Sequence, residues 1–296
     1  MQKKNSWNIL RVLTTNACNY RCIYCHNEGQ VEKNSKIIDL NQFIRIYKIA
    51  EQVGINEVRF SGGEPLINPN TICMIEWLNQ NSNVEIGLAT NGSLVTEEIA
   101  KRLGNTRTMV TLHFPSVGNE KYHYVTGQNW QLFLQCVDAF DNFGVDYSFN
   151  FTLFPEIIDS LDKVVEYVIS KGKRVKLLPY LDSSFRNLSE SLIREIFTKL
   201  DLQDNEYIYV KEAGYSLWEY KNKGCVKLID SPCYKKDIDL CKTYGEIRLL
   251  PDLSLMNCIF GNSISVSGKT DEEIYSLFID MFESMKKCDD VIMHRM

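Results

Sequence analysis

Three cysteines near the start of the chain, in the run Cys18-Asn-Tyr-Arg-Cys22-Ile-Tyr24-Cys25, are spaced C-x3-C-x2-C. Three thiolates in one tight loop can hold three irons of a [4Fe–4S] cube and leave the fourth iron without a protein ligand. An open iron is a binding position, as an open coordination site is on a catalytic zinc. A zinc on the same loop would want a fourth ligand, and His26, directly after Cys25, is badly placed to supply it. A second segment follows, Phe60-Ser61-Gly62-Gly63-Glu64-Pro65. Gly-Gly and Pro punctuate turns anywhere. A glycine pair at a strand end also lets backbone approach a ligand closely, and Glu64 adds an acceptor for an ammonium group.

The chain has ten cysteines in all. Cys73 and Cys136 sit inside apolar helical patterns and read as small buried hydrophobes. The remaining five are Cys225, Cys233, Cys241, Cys258 and Cys288, set among polar residues. Cys233 and Cys241 are spaced C-x7-C, and Cys258 ends a strand–Pro251-Asp252–strand pattern that reads as a hairpin. Thiolates from one loop and one hairpin can meet around a second cluster, with Cys225 or Cys288 as a fourth ligand. A structural zinc or unligated thiols are the rival readings.

The elements that must position these groups alternate. Strands are expected at 8–15, 57–61, 84–90, 108–114, 145–153 and 174–181, and helices at 40–54, 69–81, 96–104, 129–144 and 156–172. A further helix is expected around 189–200. Strands alternating with helices imply a parallel sheet, because parallel neighbours need crossover connections. Six such units make three-quarters of a barrel rather than an eight-fold one. After about residue 205 the texture changes to aromatic β-like runs, the cysteine-rich loop, the hairpin and a final helix at 271–287. The expected division is residues 1–205 and 206–296.

The cysteine triplet, with an aromatic residue before its third Cys, and the Gly-Gly-Glu-Pro segment one βα unit later together resemble the radical SAM superfamily. That resemblance implies a partial (β/α)6 TIM-like barrel of the α/β class, S-adenosylmethionine (SAM) chelating the fourth iron, and Tyr24 near the adenine. It implies that Gly62, Gly63 and Glu64 hold the amino group of SAM. Leu88-Ala89-Thr90-Asn91-Gly92 resembles the family's third-strand segment, Leu112-His113-Phe114-Pro115-Ser116 its fourth, and Asn150 falls where a polar SAM contact is common. Thr90, Asn91, Ser116 and Asn150 are therefore expected SAM contacts, and His113 is a candidate acid or base toward substrate. Residues 241–261 resemble the hairpin of SPASM and twitch domains and, in their later part, that of molybdenum-cofactor GTP 3′,8-cyclases. The cyclases' C-x2-C opening and C-terminal glycine pair are not matched here, since the chain reads C-x7-C and ends VIMHRM. These resemblances imply an oxidoreductase with two [4Fe–4S] clusters, SAM and an external donor of the flavodoxin or ferredoxin type. The twitch-like extension leans toward a ribosomal peptide as substrate, with a small polar metabolite such as a nucleotide or aminosugar as the alternative. A zinc-stabilised binding module explains the cysteines but not the Gly-Gly-Glu-Pro segment or the barrel.

A net charge of −5 argues against a nucleic-acid-coating surface, which would need a basic stripe. The leading MQKKNSWNILRVLTT lacks an apolar core fit for a signal peptide, and no apolar run reaches the ~18 residues of a membrane span. The expectation is a cytoplasmic chain with reduced cysteines and no membrane or nucleic-acid partner.

Overall fold

The computed structural model describes residues 8–25, 35–179, 206–210, 215–220, 224–229, 245–257 and 261–286, with single positions at 195, 198 and 199. The six expected strands form β1 (Asn8–Leu13), β2 (Glu57–Ser61), β3 (Glu85–Thr90), β4 (Met109–His113), β5 (Tyr147–Leu153) and β6 (Arg174–Pro179). Between them lie α1 (Leu40–Gln52), α2 (Thr71–Asn81), α3 (Glu97–Gly104), α4 (Asn119–Thr126), α5 (Trp130–Asn142) and α6 (Leu161–Ser170). All neighbouring pairs from β1 to β6 are parallel. Helix α1 starts where its pattern starts because Asp39 and Gln42 close a reciprocal capping box. The helix expected at 156–172 is divided, a 3-10 stretch at Pro155–Ser160 preceding α6. The helix expected around 189–200 lies outside the described residues, apart from the three single positions.

Beyond residue 205 come β7 (Glu206–Val210), β8 (Tyr215–Tyr220), β9 (Gly224–Ile229), β10 (Gly245–Leu249), β11 (Ser254–Met256), β12 (Ile264–Ser265) and α7 (Asp271–Lys286). The expected hairpin is β10–β11, turning at Pro251-Asp252, where Asp252 Oδ1 accepts from the Ser254 amide. These strands extend the barrel sheet at both edges. Strand β9 pairs in parallel with β6, and β10 pairs in parallel with β1. The order is β12-β11-β10-β1-β2-β3-β4-β5-β6-β9-β8-β7. A continuous run of eight parallel strands thus replaces the six read from the first 205 residues. No helix among the described residues is long and apolar enough to cross a membrane.

Alternation along the strands separates two faces. Phe60 meets Phe43 of α1 at 5.5 Å between ring centroids, and Phe149 meets Phe133 of α5 at 5.9 Å, so these side chains face the helix layer. Their strand neighbours, Arg59, Ser148 and Asn150, therefore face the concave lumen. So does Arg11, whose guanidinium holds Glu246 of β10 through two bonds of 2.8 Å, Nε to Oε1 and Nη2 to Oε2. Arg248 Nη2 donates to the same Glu246 Oε1 at 2.7 Å, and Arg59 pairs with Glu57 along β2.

Burial alone would raise the Glu246 carboxyl, but the Arg11 charge and hydrogen bonds hold it below the usual value. Its contribution to stability is present above the ordinary glutamate pKa of about 4.3 and is lost as pH falls through the lower folded value. Glu246→Gln is expected to destabilise the fold by about 3–5 kcal/mol at neutral pH, because buried guanidinium charge loses its partner. It should also flatten the acid limb of the stability curve. Urea unfolding from pH 7 to pH 3 reads both effects, and equal stability of variant and wild type would contradict this role.

Candidate functional site

The cysteine loop leaves β1 and is fastened at three places. First, the parallel pairing of β1 with β2 continues past both strands: Thr14 N donates to Ser61 O at 3.0 Å, Gly63 N to Thr15 O at 2.9 Å and Glu64 N to Ala17 O at 2.8 Å. Gly62 and Gly63 pass so close that a Cβ on either would strike the backbone oxygen of Thr15 or Ala17. Second, Arg21 N and Ile23 N donate to the carbonyls of Thr126 and Val125 at the end of α4, each at 3.1 Å. Third, Asn19 joins the β3 end, accepting from Asn91 Nδ2 at 3.0 Å and donating to Ser93 Oγ at 2.8 Å. The Arg21 guanidinium closes the loop on itself through the carbonyls of Cys18 and Tyr20.

Cys18 and Cys22 are half-buried, Cys25 is exposed, and all three are free thiols. Burial, helped by the neighbouring thiolates, pushes Cys22 up to about 12, and burial also raises Cys18. Such thiols ionise only against a metal, so loading the site releases protons. Among the described residues no three His, Cys, Asp or Glu side chains gather closely enough for a single metal ion. Thiolates bound to separate corners of a cube do not converge on one point as the ligands of one ion do.

Glu64 is fully buried under this loop. Its carboxylate accepts from Thr90 Oγ1 at 2.7 Å, Asn91 N at 2.7 Å and Leu66 N at 3.0 Å. Burial raises its pKa and these three donors oppose the rise. Three internal donors leave about one further acceptor position on the carboxylate. Glu64 thus bolts the end of β2 to the end of β3. Gly92 continues that corner in the left-handed region at φ 80°, with Cys136 and Leu112 beneath it. Glu64→Ala is expected to lower stability by about 3 kcal/mol or more, since several buried donors lose their acceptor at about 1–3 kcal/mol each. Glu64→Gln, equal in shape, should cost clearly less. Thermal unfolding of the iron-free protein checks this, and an alanine variant that melts with the wild type would refute the bolting role.

The structure sorts the other expected site residues. Tyr24 is buried, with its hydroxyl 2.7 Å from His113 Nε2, and the same nitrogen lies 3.8 Å from Cys22 Sγ. His113 is half-buried, and desolvation holds it down to about 4, so its ring is neutral at neutral pH. The side chains of Thr90 and Asn91 serve the Glu64 and Asn19 links. By contrast, Ser116 Oγ and Asn150 Oδ1 are buried without a hydrogen-bond partner, as are Ser61 Oγ and Ser148 Oγ. Buried polar atoms normally have partners. Three of these oxygens, those of Ser61, Ser116 and Asn150, lie at strand ends on the side of the three thiols and fit a polar cofactor held against a cluster. Ser61, which directly precedes Gly62, and Ser148, which shares the inward face of β5 with Asn150, were not among the positions expected from sequence. Cys225 lies on β9, half-buried and in register with Arg174. Cys233, Cys241, Cys258 and Cys288 lie outside the described residues, so their reading as ligands of a second cluster rests on spacing.

Residues 12–168 match the sequence model of the radical SAM superfamily. The chain is 27% identical over 290 residues to a probable GTP 3′,8-cyclase of Methanocella arvoryzae, covering 91% of this chain and 88% of that protein. It is 23% identical over 299 residues to the GTP 3′,8-cyclase of Staphylococcus haemolyticus, covering 92% and 86% of the two. In fold it is similar to Streptococcus suis SuiB bound to precursor peptide SuiA, with a TM-score of 0.72, 12% identity, and coverage of 96% of this chain and 67% of that one. It is also similar in fold to anSMEcpe with bound AdoMet, with a TM-score of 0.67, 15% identity, and coverage of 95% and 83%.

Proposed function

This chain belongs to the radical SAM superfamily, and from that premise we propose that it oxidises or rearranges a small, polar, charged metabolite admitted to the barrel lumen. Cys18, Cys22 and Cys25 would hold the cluster. The backbone of Gly62 and Gly63, with Ser116 and Asn150, would hold SAM. When bound, the cluster and SAM supply an electron and a 5′-deoxyadenosyl radical that takes a hydrogen atom from substrate. The chain's own residues do the rest. The three fastenings fix the cysteine loop over the lumen, Tyr24 and His113 close its underside, and the helix layer keeps water from the barrel wall. An external one-electron donor of the flavodoxin or ferredoxin type serves as reductant. Cys233, Cys241 and Cys258, with Cys225 or Cys288, are assigned to an auxiliary cluster by their spacing.

The observation that carries the substrate class is the lumen wall. Arg11, Glu57, Arg59, Lys176, Lys227, Glu246 and Arg248 occupy inward strand positions, and a charged chamber suits a charged small molecule better than the uncharged stretch of a peptide. The relatives that align along most of the chain are named for a nucleotide reaction. SuiB's peptide belongs to a likeness of fold. In anaerobically reconstituted protein with dithionite and SAM, release of 5′-deoxyadenosine is expected to rise on adding the dialysable fraction of a cell extract. A rise confined to the non-dialysable, protease-sensitive fraction would overturn the small-metabolite reading.

A further inference from the structure

Deeper in the lumen, the inward face of β4, β5 and β6 carries a polar group used by neither the cysteine loop nor the expected SAM contacts. Lys176 on β6 reaches past β5 to Thr111 on β4, Nζ to Oγ1 at 3.4 Å. Between them, β5 places Ser148 in register with Thr111 and Asn150 in register with Lys176. Ser148 is 1% exposed, and its hydroxyl oxygen has no partner. Lys227 on β9 is the direct strand neighbour of Lys176. Arg59, from β2, adds positive potential at both lysines. Burial first, and then these like charges, pull Lys176 down to about 8, so an anion beside it would relieve an unfavourable arrangement.

The arginine side of the lumen differs. Arg11 and Arg248 share Glu246, and Arg59 is paired with Glu57, so carboxylates of the wall already answer much of that charge. What the lysine side can match is therefore one small anion, not a chain of charges.

We propose that Lys176, Lys227 and Ser148 form an oxyanion subsite on the barrel wall that takes a single carboxylate or phosphomonoester of the substrate and not a polyphosphate. The subsite rests on the reading of the lumen as the substrate chamber. An oxyanion there accepts from the Lys176 ammonium and the Ser148 hydroxyl, both charge-assisted bonds. Asn150 is in register with His113, which touches Cys22. Ser148 lies one inward step below Asn150, about 7 Å along the strand. An anchored anion thus leaves the rest of a small molecule lying beneath the cysteine loop.

Calorimetric titration of the cluster-loaded protein with inorganic phosphate, acetate and tripolyphosphate tests the subsite. Phosphate or acetate is expected to bind at one site, about tenfold or more weakly in Lys176→Met and several-fold more weakly in Ser148→Ala, as loss of a charged and of an uncharged donor predicts. Lys176→Arg should restore most of the binding. The anion that saturates first tells a phosphomonoester from a carboxylate. Unchanged affinity in Lys176→Met, absence of saturable binding of either small anion, or tripolyphosphate binding about a hundredfold more tightly than phosphate would each overturn the proposal. Lys176 is half-buried and Ser148 has no hydrogen-bond partner, so folding should survive either loss, and circular dichroism of the variants checks it. Release of 5′-deoxyadenosine by the unmodified holoprotein reads the wider functional proposal separately. Its absence would defeat that proposal while the anion titration still gave its answer.

Discussion

Replacing Cys18, Cys22 or Cys25 by alanine is expected to end release of 5′-deoxyadenosine and methionine from SAM by the reduced, iron-loaded protein. Each thiolate would serve a different iron, so losing one opens a second corner of the cube rather than weakening a shared bond. Among the described residues no nearby side chain can take its place. His113 reaches Cys22 Sγ at 3.8 Å, but its nitrogen is engaged with the Tyr24 hydroxyl at 2.7 Å. The substitutions should leave the barrel folded, because the loop is fastened by the backbone of Ala17, Asn19, Arg21 and Ile23 rather than by sulfur. Iron content, the cluster's visible absorption and chromatography of the SAM products give the readout, with circular dichroism as the folding control. Undiminished cleavage by the triple variant would remove this loop from the chemistry. If the C-terminal cysteines hold a cluster of their own, the triple variant should still carry about four irons.

Gly63→Ala is expected to be the most damaging change that touches no metal ligand. A methyl group there runs into the Ala17 carbonyl and comes within 3.0 Å of the Cys18 amide, both backbone, and the Ala17 carbonyl is held by the bond it accepts from the Glu64 amide. Neither can swing aside as a flexible side chain would. Overpacking commonly costs about 1–3 kcal/mol, and a clash between two pinned backbones belongs at or above the top of that range. The loop should shift away from the Gly62-Gly63-Glu64 segment, lowering iron uptake and SAM affinity together. Iron per chain after reconstitution, with SAM binding by equilibrium dialysis, measures the change. Normal iron and SAM binding in the variant would show that the two segments are not packed as described.

The six central strands and the helices between most of them were legible because each carries its own period and its own stop signals. Helix α4 was not. Its run Asn-Glu-Lys-Tyr-His-Tyr-Val-Thr buries only Tyr122, Val125 and Thr126, too short and too polar a stripe to stand out. The C-terminal strands were legible as strands, but their places beside β1 and β6 were not, since local pattern says nothing about which distant edge a strand will join. The cysteine triplet and the glycine pair pointed to the candidate site through their spacing and their resemblance to the family's motifs. The lumen charges were present as alternating polar positions, Glu57 and Arg59, Arg174 and Lys176, Glu246 and Arg248. Only the sheet shows that some of them converge. The occupied partners of Glu64, Thr90 and Asn91 were likewise invisible, because a hydrogen-bond acceptor in sequence carries no label for what donates to it.

The bidentate pair of Arg11 with Glu246 spans 235 positions of sequence. Strand β1 is synthesised well ahead of its partner β10, by the 235 positions that separate Arg11 from Glu246. At about 5–20 residues per second, the growing chain carries one side of β1 unpaired for roughly 10–50 s. An open strand edge is a template for pairing with other chains, and distant pairings are slow to form because loop closure must come first. Docking of residues 245–249 therefore gates the end of folding, and molecules stalled before that step are the ones a chaperone would have to shelter.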